Sequence, residues 1–188
     1  MVAPVELPFT DINEKDWFYD DVAFVFENGM MEGIPGNLFA PNASTTRGMI
    51  VTILYRLEGE PTVSGGCPFG DVNAGSWYED AIIWAVENKI VDGYGNSKYG
   101  PEDAITREQM AAILYRYADY KGYDVAVQAD LSKFTDNGEI STWAEEAFSW
   151  ANANDLVEGD GVKIMPDDNA ERCQIAAILH RFCENVAE

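Results

Sequence analysis

The six arginines of this chain occupy two positions of a threefold pattern. Arg47, Arg107 and Arg172 take the first position. Arg56, Arg116 and Arg181 follow nine residues after each. The pairs recur at intervals of 60 and 65 residues. In a 188-residue chain with a formal net charge of −21, guanidinium groups are scarce, so this placement points to one device built three times. A guanidinium presents a planar fork that matches a carboxylate. The first-position arginines also fall at or near expected helix N-termini, where free amides and the helix dipole favour an anion. The expected chemistry is carboxylate recognition by Arg47, Arg107 and Arg172, with ion pairs tying repeats together as the structural alternative. Arg56, Arg116 and Arg181 sit deeper in the same helices and read as ties between repeats.

Other residues recur in step with the arginines. Trp17, Trp77 and Trp143 each precede an expected helix. An indole can stack on the apolar face of a sugar ring while its N–H stays hydrogen-bonded. It can equally staple the helix start. Asp11, Asp71 and Asp136 stand in Phe-x-Asp openings and could accept sugar hydroxyls or close a turn. Gly33, Gly93 and Gly159 allow backbone to approach a ligand closely, or serve turn geometry alone. Thr46 and Thr106 precede two of the first-position arginines and suit a helix N-cap.

These side chains must be positioned by a repeated pair of helices. Between each Trp and the Asn eleven residues later (Asn28, Asn88, Asn154) the apolar spacing is helical. That Asn, or Gly29 in the first unit, is expected to stop the helix in a left-handed conformation. A turn follows, as in Asp92-Gly93-Tyr94-Gly95-Asn96. A second helix opens near Thr46, Thr106 and Asn169. The units run over 9–60, 69–122 and 134–187, within one module spanning 1–188. Each is helix–loop–helix, and none can bury its apolar face alone. The fold class expected is all-α.

Composition excludes several functions. A pI near 4.1 argues against nucleic acid and against docking on an anionic membrane surface. No apolar run approaches the roughly 20 residues of a spanning helix. The N-terminal segment carries no export signal. Cys173 and Cys183 share one expected helix too far apart to pair, and Cys67 lies in a linker, so all three read as free thiols. No enzyme is expected. The single histidine, His180, aligns with Tyr55 and Tyr115 as a packing residue, and no Ser–His or Cys–His set is evident. No cofactor and no metal site is called for. Asp92 to Asp103 has the length of an EF-hand loop but carries Tyr94 and Ser97 at positions that forbid one. An irregular calcium site stays open.

The Phe-x-Asp opening, the Trp before the first helix and the run from Gly93 to Gln109 resemble the S-layer homology (SLH) domain, with similarity over nearly the whole chain. That resemblance implies a pseudo-threefold spindle of three units around a central three-helix bundle. It implies a non-catalytic module at the bacterial cell wall or S-layer, outside the cell. Grooves between units would bind a pyruvylated secondary cell-wall polysaccharide or a peptidoglycan-linked glycan, on behalf of a larger parent protein or surface lattice. The family hallmark Thr-Arg-Ala-Glu is altered here to Thr46-Arg47-Gly48-Met49, Thr106-Arg107-Glu108-Gln109 and Glu171-Arg172-Cys173-Gln174. The third site departs furthest. The rival reading is a structural S-layer assembly module that binds protein partners or calcium.

Overall fold

A computed structural model describes residues 6–187. Six helices carry the described chain: α1 Tyr19–Glu27, α2 Arg47–Leu57, α3 Glu79–Glu87, α4 Arg107–Lys121, α5 Glu145–Ala153 and α6 Arg172–Asn185. Two single 3-10 turns precede α5. Strand pairing among the described residues is confined to isolated bridges, so the fold is all-α, as expected.

The first helix of each unit ends by one device. Asn28, Asn88 and Asn154 hold ordinary negative φ. Their Nδ2 groups donate to the carbonyls of Phe24, Trp84 and Trp150 at 2.8, 2.8 and 2.9 Å. Each of these carbonyls also accepts the backbone N–H of the same asparagine at 3.1 Å, so the side chain adds a second bond to the last turn. The left-handed conformation falls one residue later, on Gly29, Lys89 and Asp155. Gly29 thus makes the reversal expected of it or of Asn28 in the first unit, while Asn88 and Asn154 act as side-chain caps and leave the reversal to the residue that follows.

The second helices open as the capping chemistry requires. Thr46 Oγ1 accepts from Met49 N, and Thr106 with Gln109 completes a reciprocal capping box. In the third unit the N-cap is Glu171, two residues beyond the expected Asn169, and Gln174 accepts from its N–H at 3.1 Å.

Principal helix packing runs between units. The α2 helix packs on α3, α4 on α5, and α6 on α1, which returns the chain to its first unit. One aromatic pair marks each contact: Tyr55 with Trp84 at 5.7 Å, Tyr115 with Trp150 at 5.5 Å, and His180 with Phe24 at 4.1 Å. His180 thus fills the packing position its alignment assigned, and its Nδ1 lies 2.8 Å from Asp21 Oδ1. The cycle also closes through the backbone. Ile105 N donates to Thr45 O, Thr45 N to Ala170 O, and Ala170 N to Ile105 O, at 2.9–3.0 Å. These three residues immediately precede the caps of α2, α4 and α6 or lie at them. The second helices also meet through long side chains: Tyr117 of α4 donates to Glu58 at the end of α2 and stacks obliquely 5.8 Å from Phe182 of α6.

Candidate functional site: three grooves between units

The first-position arginines are buried at the joints between units. Arg47 Nε donates to Tyr99 O at 3.0 Å, and its Nη2 to Asp92 O at 3.1 Å. Arg107 repeats this on Ile164 O and Glu158 O at 3.2 and 2.5 Å. Arg172 closes the cycle on Phe39 O and Glu32 O at 2.8 and 2.6 Å. Every acceptor is a backbone carbonyl of the next unit's turn. Burial presses the Arg107 and Arg172 guanidinium pKa values down from the ordinary range, against the pull of Asp168 and Asp136 on Arg107 and of Asp11 on Arg172. Arg47 additionally lies 4.6 Å from the centroids of both Tyr94 and Tyr99.

These contacts revise the division of labour expected between the two arginine positions. The ties between units come from the first position, because a side chain at the helix start points across the joint. The second-position arginines bond within their own units. Arg116 Nη1 lies 3.1 Å from Asp92 Oδ2, and Arg181 Nη1 lies 3.1 Å from both Glu158 Oε2 and Asp155 O. Among the described residues Arg56 has only a 3.9 Å approach to Glu60, which lies beyond the C-terminus of α2.

A tie does not exhaust a guanidinium. It has five N–H donors. Only the Nε–H and one Nη2–H of each first-position arginine are engaged. Among the described residues the only enclosed side-chain polar atoms without a partner are Thr45 Oγ1 and Ser76 Oγ. The Nη1 groups of Arg47, Arg107 and Arg172 therefore reach solvent.

They reach it in three equivalent grooves. The first is lined by Arg47, the Val91–Tyr94 turn, Arg116 and Trp143. The second is lined by Arg107, the Glu158–Asp160 turn, Arg181 and Trp17. The third is lined by Arg172, the Glu32–Ile34 turn, Arg56 and Trp77. All three units contribute to every groove. The open volumes are about 350, 260 and 200 Å³. Ligand pockets usually hold about 300–1,000 Å³, so these grooves suit a single ring with its substituents.

The tryptophans stand out from the surface: Trp17 is 64% exposed, Trp77 55% and Trp143 54%. Trp17 and Trp77 meet the neighbouring rings of Phe18 and Tyr78 edge-on at 5.3 and 4.9 Å. All three indoles line the grooves. The glycines lie in the groove wall. A Cβ on Gly33 would meet the Phe9 ring and come within 2.9 Å of Leu38 O. On Gly93 and Gly159 it would strike Lys98 O and Lys163 O and the rings of Phe69 and Phe134.

The aspartates of the Phe-x-Asp openings lie behind the turns. Asp11 accepts from Phe39 N and Ala40 N, Asp71 from Tyr99 N and Gly100 N, and Asp136 from Ile164 N and Met165 N, at 2.7–2.9 Å for the shortest bond to each amide. Desolvation works against the charges of Asp71 and Asp136, yet these backbone donors hold both carboxyls below the usual carboxylate range. Thr46 and Thr106 are committed to their helix caps. Groove residues that the sequence reading placed elsewhere are Arg56, Arg116 and Arg181. Their spacing of nine from the first arginines, two and a half helical turns, was the available signal.

The three cysteines are free thiols. Among the described residues no group of three His, Cys, Asp or Glu side chains could hold a metal ion, and no helix is long and apolar enough to cross a membrane.

Fold and grooves together define a helical repeat module with a groove at each of its joints. Residues 8–48 and 68–111 match the S-layer homology domain, and through these units the chain belongs to the S-layer homology family. It is 31% identical to an endoglucanase of Bacillus sp. (strain KSM-635) over 96% of this chain and 19% of that protein. It is 30% identical to the surface-layer 125 kDa protein of Lysinibacillus sphaericus over 88% of this chain and 14% of that one. It is 24% identical to a cellulosome-anchoring protein of Acetivibrio thermocellus over 82% of this chain and 35% of that one. The chain thus spans about a third or less of each of these relatives.

Proposed function

We propose that this module anchors a protein to the bacterial cell surface by binding an anionic, pyruvylated cell-wall polysaccharide in its three grooves. The coarser part, a cell-surface anchoring module of SLH type, accords with the surface-layer and anchoring proteins among its relatives. In this reading the units 9–60, 69–122 and 134–187 are related by roughly threefold rotation about a central bundle of α2, α4 and α6. The role is binding, and the relatives named as enzymes share only a small part of their length with this chain.

The observation that carries the proposal is the recurrence of one composition in every groove: two guanidinium groups, an exposed indole and bare turn backbone. A pyruvate ketal on a sugar offers a carboxylate to the arginines and an apolar ring face to the indole. The surrounding acidic surface would repel such a ligand, so cationic donors concentrated in the grooves decide where it binds. The test is pull-down on purified wall polysaccharide with and without its pyruvate groups. Retention on the native polymer and loss on the depyruvylated one is expected. Indifference to pyruvate removal overturns the reading and favours a protein-assembly role.

A further inference from the structure

Resting on that reading, we propose that Asp92 and Glu158 act as built-in competitors, each occupying the second-position arginine of its groove that a ligand carboxylate would engage beside Arg47 or Arg107. The Asp92 carboxylate lies on Arg116 in the first groove, and the Glu158 carboxylate lies on Arg181 in the second. Both pairs join a turn residue to the helix that forms the groove wall. Both carboxylates are largely exposed, at 79% and 58% of their side-chain surface, so the pairs are weak and can be exchanged. The backbone carbonyls of the same two residues accept from Arg47 and Arg107, which keeps each competitor's main chain at its groove.

The third groove differs. Glu32 stands at the equivalent turn position, and its carbonyl accepts from Arg172. Among the described residues its carboxylate pairs with neither Arg56 nor any other cation, and Arg56 is left with the 3.9 Å approach to Glu60. A ligand carboxylate that bridges to Arg116 or Arg181 in the first or second groove displaces an internal one; in the third, Arg56 carries no such turn partner. The grooves therefore differ in how much of their affinity is withheld, although they share one set of residues.

The probe is the 4,6-pyruvate ketal of a methyl hexopyranoside, with its methyl ester as the uncharged control. Titration followed by indole N–H resonances reads each groove separately: Trp143 the first, Trp17 the second, Trp77 the third. Asp92→Asn should tighten binding reported by Trp143, and Glu158→Gln that reported by Trp17, by about 1.5- to 5-fold, the range for releasing an exposed ion pair. Glu32→Gln removes the same charge without freeing an arginine, and Trp77 should report no more than the small change expected from net charge alone. Thermal melts confirm that all three variants fold. Equal gains in all three grooves, or no gain in the first two, overturn the proposal while leaving the carboxylate reading intact if the ketal still binds better than its ester. If ketal and ester bind alike, the carboxylate reading fails and this proposal fails with it.

Discussion

Replacing Arg107 by Ala should damage folding as well as binding. Its guanidinium is buried between the second and third units and donates to Ile164 O and Glu158 O. A hydrogen bond to a charged group contributes about 1.5–3 kcal/mol, so the two together are worth roughly 3–6 kcal/mol. The truncation opens onto a groove, and water can reach both carbonyls, which reduces the net cost to about 2–4 kcal/mol. For a chain of this size each kcal/mol moves the melting midpoint by about 2–4 °C, giving a fall of roughly 4–16 °C. Urea unfolding followed by helical circular dichroism, with thermal melts alongside, measures it. Arg107→Lys should recover only part of the loss, because a single ammonium cannot reproduce the fork. An Arg107→Ala variant within about 0.5 kcal/mol of the parent, the margin of an ordinary surface change, would refute the clamp reasoning. Loss of polysaccharide binding in this variant is then interpretable only at temperatures where it remains folded.

Trp143→Ala should leave the melting midpoint nearly unchanged, since the indole is mostly exposed, yet weaken retention on native wall polysaccharide; unchanged retention counts against sugar stacking. Gly93→Ala should lower stability clearly, because its Cβ has no room against Lys98 O and Phe69, whereas Gly66→Ala, with open space around it, should be neutral in the same melts. The folded-state pKa of Asp71 is depressed, so its contribution is fully present above the ordinary carboxylate range and disappears as pH falls through the folded value. Asp71→Asn should therefore lower the urea midpoint at pH 7 and flatten its decline toward low pH; an unaltered acid limb would remove the turn-closing role. Lys121 and Tyr117 both bond Glu58, so Glu58→Ala should destabilise more than Glu60→Ala, whose carboxylate has, among the described residues, only the long approach to Arg56.

The sequence by itself determined the helices, the repeat and one Arg, one Trp and one Gly of each groove. Apolar spacing, the Thr46 and Thr106 caps and the recurring Trp, Gly and Arg are local signals, and local geometry follows from them. The alignment of His180 with Tyr55 and Tyr115 was enough to assign its packing role, because repeat-equivalent positions meet equivalent neighbours. What each polar group touches was decided only by tertiary structure. The partners of Arg47, Arg107 and Arg172 are backbone carbonyls in the following unit, and a carbonyl carries no residue type for a sequence pattern to show. The same holds for Asp11, Asp71 and Asp136, whose donors are turn amides 28 and 29 residues downstream. The closing of α6 onto α1 and the ring of Thr45, Ile105 and Ala170 arise because each helix pair leaves an apolar face open to the next unit. That closure turns two arginines nine residues apart into an inner clamp and an outer groove wall, a distinction that depends on which side of the joint each helix face meets.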